Sequence, residues 1–446
     1  MSRTTELLSR AVTCQRNGMY TEARLIYTDI LKEYPQNRDI LLNLGIVCRL
    51  SGLYDEAIGY LKKVYPLFPG SIQVVSELGM ALVQGGFSNE GISFVKSEIE
   101  LHKESAELYY LLGNLYRTCG DFTGAELAFR NALVIRPDFL EAQFNLSSSL
   151  LENHKFEEAI SLLETIINKH PDFILAYLSL SKVFVTRKRP EAAVLMLRQA
   201  LDFHKDSVPL YINLATAQIK MNLFDEALVN LHHALQIEPD SSELLNGIGN
   251  IYISKKDFVK AKEYYHRALV IKPDNAEAHY NLGLIMREWN RIDEAVICYK
   301  NSLRFDSEQT LAMINLGECF QARGEIEESE DLFRKVIKID PVNKIAWDNY
   351  LLSMNYNPSY SPVQIYDAHV QWGQLFKPVE TVCYNSKDTA KRLRIGYVSP
   401  DFRHHPSAAF LEPILKNHNH TDFTIYCYSQ TLQQDNFTEK FKTYCD

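Results

Sequence analysis

The chain has 446 residues, with 47 Lys and Arg against 56 Asp and Glu, and a formal net charge of −9. Its acidic and basic residues are interspersed, whereas phosphate binding needs a basic stripe, so nucleic acid is excluded as the main ligand. No apolar run approaches the roughly 20 residues that span a bilayer, and residues 1–20 hold no apolar signal core, so we expect no membrane span and a cytosolic protein.

From residue 4 onward one period dominates. Ala23, Ala57, Ala125, Ala159, Ala193, Ala227, Ala261 and Ala295 stand 34 residues or a multiple of 34 apart, as do Gly45, Gly79, Gly113, Gly249, Gly283 and Gly317. With residue 4 as place one, small residues fall at places eight and twenty, an aromatic residue or Leu at place twenty-four (Tyr27, Phe129, Tyr265, Tyr299, Phe333), and Pro near place thirty-two. Spacings of three and four put these residues on one helical face, and Pro35, Pro69, Pro137, Pro171, Pro239, Pro273 and Pro341 end each second helix. Gly91 and Ser329 depart at place twenty; Lys103, Lys205 and Ser307 replace the proline. The pattern resembles the tetratricopeptide repeat, a helix–turn–helix unit, over residues 4–343. It predicts about ten units without an insertion, stacked as an all-α right-handed superhelix with a concave inner wall.

Place six of the first helix carries Asn43, Asn145, Asn213, Asn281, Asn315 and Asn349. It lies off the face formed by places four, seven, eight and eleven, towards the inner wall. An amide offers a donor and an acceptor at once, which suits the backbone of an extended peptide of any sequence. Asn is also common at this place in such repeats, so each residue alone reads either way, and the set favours binding. A clamp for acidic C-terminal tails needs basic residues at place six, and no repeat has one there.

Beyond Pro341 one more helix of the pattern begins, with Trp347 and Asn349, and no second helix of the pattern is expected. Residues 344–376 read as capping helices: a turn at Asn355 to Pro358, then Ser361 and Pro362 opening a helix to about Phe376. Residues 377–392 read as a polar linker. Leu393 to Ser399 then reads as a short buried strand, Ser407 to Asn417 as a helix, and Phe423 to Ser429 as a second strand. Strand, loop, helix, strand opens a doubly wound α/β domain, whose ligands sit beyond the carboxyl ends of the strands.

The segment Arg394-Ile-Gly-Tyr-Val-Ser-Pro-Asp-Phe-Arg-His-His-Pro406, with Phe410-Leu-Glu-Pro413 and Phe423-Thr-Ile-Tyr-Cys-Tyr-Ser429, resembles the start of the catalytic region of the O-linked N-acetylglucosamine (O-GlcNAc) transferase family. That family carries tetratricopeptide arrays immediately upstream. The resemblance implies a Rossmann-like glycosyltransferase lobe, transfer of N-acetylglucosamine from its uridine diphosphate donor to Ser or Thr hydroxyls of proteins, and an asparagine ladder that holds those proteins. It places the active-site His-Pro pair on His405 and Pro406. Such a histidine can orient substrate or donor, or take a proton; it can equally cap the helix that follows. Animal members have a second histidine four residues later, where this chain has Ala409, and His404 has no assigned role.

We expect residues 393–446 to be a truncated N-terminal part of that catalytic domain, lacking the donor-binding lobe and therefore inactive alone, so that no cofactor is held and UDP-N-acetylglucosamine binds only a longer parent. The expected partners are proteins with extended Ser/Thr-containing segments, with self-association through exposed apolar residues of the C-terminal segment; the alternative is a non-catalytic scaffold. The eight cysteines, Cys14 and Cys48 on the apolar helix face among them, contain no metal-type pair and read as buried thiols. Asn145, Asn419 and Asn436 stand in glycosylation-type triplets, which mean little without a secretory signal.

Overall fold

The computed structural model describes residues 3–375, 392–431 and 434–445. The linker read at 377–392 therefore lies outside the described residues except for Arg392. Two compact units, Met1–His369 and Val370–Asp446, divide the chain.

In the first unit twenty α-helices, from Arg3–Arg16 to Ile326–Ile339, follow one another as ten pairs. Each packs on its sequence neighbours, and several first helices also touch the first helix of the next repeat. The close approach within a pair rests on the small residue at place eight. A Cβ on Gly283 would lie 2.5 Å from Cε1 of Tyr299, and one on Gly113 would lie 2.5 Å from Cε1 of Phe129. Tyr27, Phe129, Tyr265, Tyr299 and Phe333, all at place twenty-four, are fully buried. The ring occupies the space that a side chain at place eight would need, which is why the two places are complementary in size.

The turn inside every repeat is built alike. At place fifteen the backbone is left-handed in all ten repeats: Gly18, Gly52, Gly86, Gly120 and Gly324, and also His154, Lys188, Asn222, Lys256 and Asn290, have φ between 57° and 90°. The following N–H closes the helix by bonding the carbonyl five residues back, as from Leu53 to Cys48 and from Asp257 to Tyr252. One second helix departs from the pattern. In repeat two it stops at Val64 and gives way to a 3-10 turn over Tyr65–Leu67, because Pro66 has no N–H to continue the α-helical ladder.

After the tenth repeat, Lys344–Met354 is a first helix of the pattern, capped by Asn343, whose Oδ1 accepts from Ala346 N. A second helix follows, Pro362–Gln374, in almost the register of the repeats. It starts with a reciprocal cap, in which Gln364 N donates to Ser361 Oγ and Ser361 N to Gln364 Oε1. The capping helix expected from Pro362 is present, and its packing is not that of a second helix of the pattern. Place twenty is Val363, 67% exposed, and place twenty-four is Asp367, so the helix has no small-plus-aromatic groove. The turn before it is anchored on buried Glu330, which accepts from Asn357 Nδ2 at 3.2 Å and Tyr360 Oη at 2.9 Å.

In the second unit β1 (Leu393–Ser399) and β2 (Phe423–Ser429) pair in parallel, Leu393 opposite Phe423 and Ser399 opposite Ser429. The connection runs through the helix Pro406–Lys416, as parallel strands require a crossover. Phe402, Ala408, Leu415, Ile425 and Phe441 form a small core on one face of the pair. The other face is open: Val398 is 71% and Tyr428 58% exposed. The reading of β1 as a buried strand is corrected accordingly, since a parallel pair is buried on both faces only when helices cover both. Among the described residues no helix is long and apolar enough to cross a membrane.

Candidate functional sites

Five of the six place-six asparagines each bond the preceding first helix. Asn145 Nδ2 donates to Asn114 Oδ1 at 2.9 Å and Tyr110 Oη at 3.2 Å. Asn281 Nδ2 donates to Asn250 Oδ1 at 2.9 Å and Asn246 Oδ1 at 3.4 Å. Asn213 Nδ2 reaches Ser181 Oγ at 3.0 Å, Asn315 Nδ2 reaches Tyr280 Oη at 3.1 Å, and Asn349 Nδ2 reaches Glu318 Oε1 at 3.1 Å. Every acceptor lies on the first helix of the preceding unit. The amide hydrogens thus stitch successive first helices together, and Asn281 and Asn315 are buried in doing so. Asn43 makes no such bond among the described residues, and its side chain is half-buried. Asn213 also lines a cavity of about 280 Å³ with Ser181, Lys182, Val185, Thr186 and Thr216. The six asparagines share one face of the first helices; Asn315 Oδ1 already accepts from Arg287 Nη1 at 2.7 Å, and among the described residues no bond is given to the amide oxygens of the other five. Sequence periodicity located the column; the bonds to the preceding unit depend on the spacing between repeats, which periodicity does not report.

The second site lies past the carboxyl end of β1. The chain leaves the strand at Ser399, whose Oγ accepts from Asp401 N at 3.0 Å, turns through His404 and His405, and enters the helix at Pro406, whose fixed φ suits a first turn. His405 is that helix's N-cap: its Nδ1 accepts from Ser407 N at 3.2 Å and lies 2.7 Å from Ser407 Oγ. Asp401 Oδ2 stands 3.4 Å from both His405 Nδ1 and Ser407 Oγ. Of the roles open to His405 in the sequence, capping is what the backbone geometry displays, and its outer nitrogen Nε2 is left without a bonded partner among the described residues. His404 N donates to Asp435 Oδ2 at 2.7 Å, and Thr438 Oγ1 donates to the Phe402 carbonyl at 2.7 Å. The helix Asn436–Lys442 thereby pins the loop. Asp435 is held below the usual carboxylate range by backbone N–H groups, first that of His404 and then that of Thr438. Sequence reading missed Asp401, Ser407 and Asp435. The signal for the last is Asp435-Asn-Phe-Thr438, a capping box before Phe441. Ala409 is exposed on the helix Pro406–Lys416 and adds no polar group.

Comparison with known proteins assigns both regions. Residues 11–72, 119–182, 184–246, 276–309 and 311–343 match tetratricopeptide repeats, and 249–288 match a further repeat profile. Residues 374–446 match glycosyl transferase family 41. The chain thus joins tetratricopeptide repeats to a segment of glycosyl transferase family 41, and its relatives are O-GlcNAc transferases. Among its relatives is the probable UDP-N-acetylglucosamine–peptide N-acetylglucosaminyltransferase SPINDLY of Solanum lycopersicum, 37% identical over 107 residues, which are 23% of this chain and 12% of the relative. The protein of that name from Hordeum vulgare is 39% identical over 107 residues, 23% of this chain and 11% of the relative. The chain thus spans about one-eighth of the length of the curated relatives it matches, at the 12% of the tomato protein. A solved mutant O-GlcNAc transferase from Thermobaculum terrenum is 26% identical, with a TM-score of 0.36 over 46% of this chain and 40% of that one.

Proposed function

We propose that the chain is the substrate-recruiting arm of a protein O-glycosyltransferase that transfers N-acetylglucosamine from UDP-N-acetylglucosamine to Ser and Thr hydroxyls. The observation that carries this reading is the union in one chain of a repeat array bearing asparagines at place six and a segment matching glycosyl transferase family 41. The array takes extended, Ser/Thr-containing polypeptide along its first-helix face, where the amide oxygens of Asn43, Asn145, Asn213, Asn281, Asn315 and Asn349 accept from the peptide N–H groups. His405, beyond the carboxyl end of β1, belongs to the transfer site, and the donor is a nucleotide sugar bound as substrate. The open face carrying Val398 and Tyr428 gives the second unit a surface for self-association. A cytosolic setting is part of the proposal and is supported by the thiols: Cys14, Cys48 and Cys319 are free and buried, and burial, reinforced by Glu56, pushes the Cys48 thiol up to about 11.

A second reading, a non-catalytic scaffold, is favoured by the asparagine amide hydrogens being spent within the array. Capture of an unstructured Ser/Thr-rich polypeptide by the purified chain separates the roles of the asparagines. Asn43→Ala and Asn213→Ala together are expected to weaken capture about 5- to 100-fold, each lost hydrogen bond being worth about 0.5–1.5 kcal/mol. Unchanged capture would remove the groove role. In a longer form that carries the donor-binding lobe, transfer of labelled N-acetylglucosamine to the captured polypeptide, lowered in His405→Ala, is the outcome expected of the transferase; labelling unaffected by that change would remove His405 from the site.

A further inference from the structure

We propose that Ser407 is a positioning residue that fixes His405 as the tautomer protonated on Nε2, so that the ring presents a hydrogen-bond donor to its substrate and does not act as the base. This rests on the placement of His405 in the transfer site, but the tautomer itself is measurable without any transfer.

The argument starts from the helix cap. A backbone N–H only donates, and Ser407 N points at His405 Nδ1 from 3.2 Å, so this long bond biases Nδ1 towards a lone pair without fixing the tautomer alone. A neutral imidazole has one proton, and with Nδ1 as acceptor that proton sits on Nε2. The Ser407 hydroxyl strengthens the choice. It has two acceptors in reach, His405 Nδ1 at 2.7 Å and Asp401 Oδ2 at 3.4 Å, and the nearer one gives the better bond. Asp401 acts in the opposite sense. Its Oδ2, 3.4 Å from Nδ1, would accept a proton carried there and so favours the other tautomer. Ser407 stands between the two and decides the competition. The remaining charged groups around the loop are engaged elsewhere: the Arg403 guanidinium lies 3.9 Å from the other oxygen of Asp401, and the Asp435 carboxylate is turned to His404 N. Nε2, with the side chain 39% exposed, is the ring's free corner among the described residues, and what it offers there is an N–H. A donor at that corner suits an oxygen of the sugar donor or of the acceptor hydroxyl, and leaves proton removal to another group.

The test uses the whole chain labelled with 15N-histidine. Long-range 1H–15N correlation spectra are recorded at a pH alkaline enough to make imidazole neutral, and the His405 signals are identified by their loss in His405→Gln. The expected spectrum has Nδ1 in the pyridine-type position and Nε2 in the pyrrole-type position. Ser407→Ala is expected to move both nitrogens towards the opposite assignment, while Ser407→Thr, which restores the hydroxyl, returns them, and Asp401→Asn leaves the wild-type pattern in place. A pyrrole-type Nδ1 in the unaltered chain overturns the proposal, and so does a Ser407→Ala spectrum indistinguishable from the unaltered one. The wild-type spectrum decides even where a variant fails to fold. Loss of the transfer reading with the tautomer as expected would leave the positioning role of Ser407 standing, and the reverse result would sink that role alone.

Discussion

At the scale of single residues, like residues in different repeats supply their own controls. Gly283 and Gly59 both lie inside helices, yet a Cβ would meet the Tyr299 ring at 2.5 Å in the first and nothing within 4 Å in the second. Gly283→Ala is expected to destabilise its repeat by about 1–3 kcal/mol through overpacking. Gly59→Ala is expected to stabilise by about 0.5–1 kcal/mol, since it removes only the entropy of a helical glycine. Urea midpoints of the two variants check the opposite signs. The tyrosines at place twenty-four make a second pair. Tyr265 Oη donates to Asn250 Oδ1 at 2.7 Å, whereas Tyr299 Oη is buried without a partner among the described residues. Tyr265→Phe should cost about 0.5–1.5 kcal/mol and Tyr299→Phe should be neutral or stabilising, because a buried hydroxyl without a bond carries a desolvation cost that Phe lacks. Equal losses in thermal melts of the two variants would contradict the difference in bonding.

At the scale of helices, the asparagine column joins elements that the repeat pattern alone would leave to apolar packing. Asn281→Ala strips two acceptors, Asn246 and Asn250, of a donor and is expected to cost about 1–2 kcal/mol. Asn43→Ala touches no such bond and is expected to leave the urea midpoint unchanged, which is why Asn43 gives the cleaner probe of ligand capture. Much of this level was legible beforehand. The 34-residue period located the helix pairs, and the reading of Leu393–Ser399 and Phe423–Ser429 as short strands matches both to the residue. Several things were not read. The left-handed turn at place fifteen was written in Gly18, Gly52, Gly86, Gly120 and Gly324, but five repeats hide it behind Lys, Asn or His, residues that enter that conformation less freely than Gly. Pro66 signalled the broken helix of repeat two and was passed over for Pro69. The Asp401–Ser407–His405 cluster was illegible for a different reason: it depends on the loop's path between β1 and the next helix, which no local pattern encodes.

At the scale of the whole array, each helix pair depends on its neighbours, so a perturbation stays near its origin. His232 and His266 occupy the same place in adjacent repeats. Burial lowers both below the ordinary imidazole value of 6.5, aided by Arg267 for the first and Lys262 for the second. A lowered folded value means that the neutral ring is what the fold prefers. Its contribution to stability is therefore complete above about pH 6.5, the unfolded value, and is lost as pH falls through the folded values. As pH falls below about 6.5, protection of amides against exchange is expected to drop first in Phe224–Ile237 and Phe258–Ile271, with helices of the first repeats unaffected. A uniform drop in protection along the chain would show that the array unfolds as one body instead.

The absence of any insertion across ten described helix pairs makes repeat number a unit of length. Excising residues 174–207, one full period, joins Phe173 to Val208, and both sides of the junction are already the start of a first helix. The chain behaves as a ruler graduated in steps of 34 residues, whose marks at place six can be added or removed singly without blurring those that remain. Any change in reach along a bound polypeptide would therefore come in whole graduations, and a deletion of any other size would put every later mark out of phase.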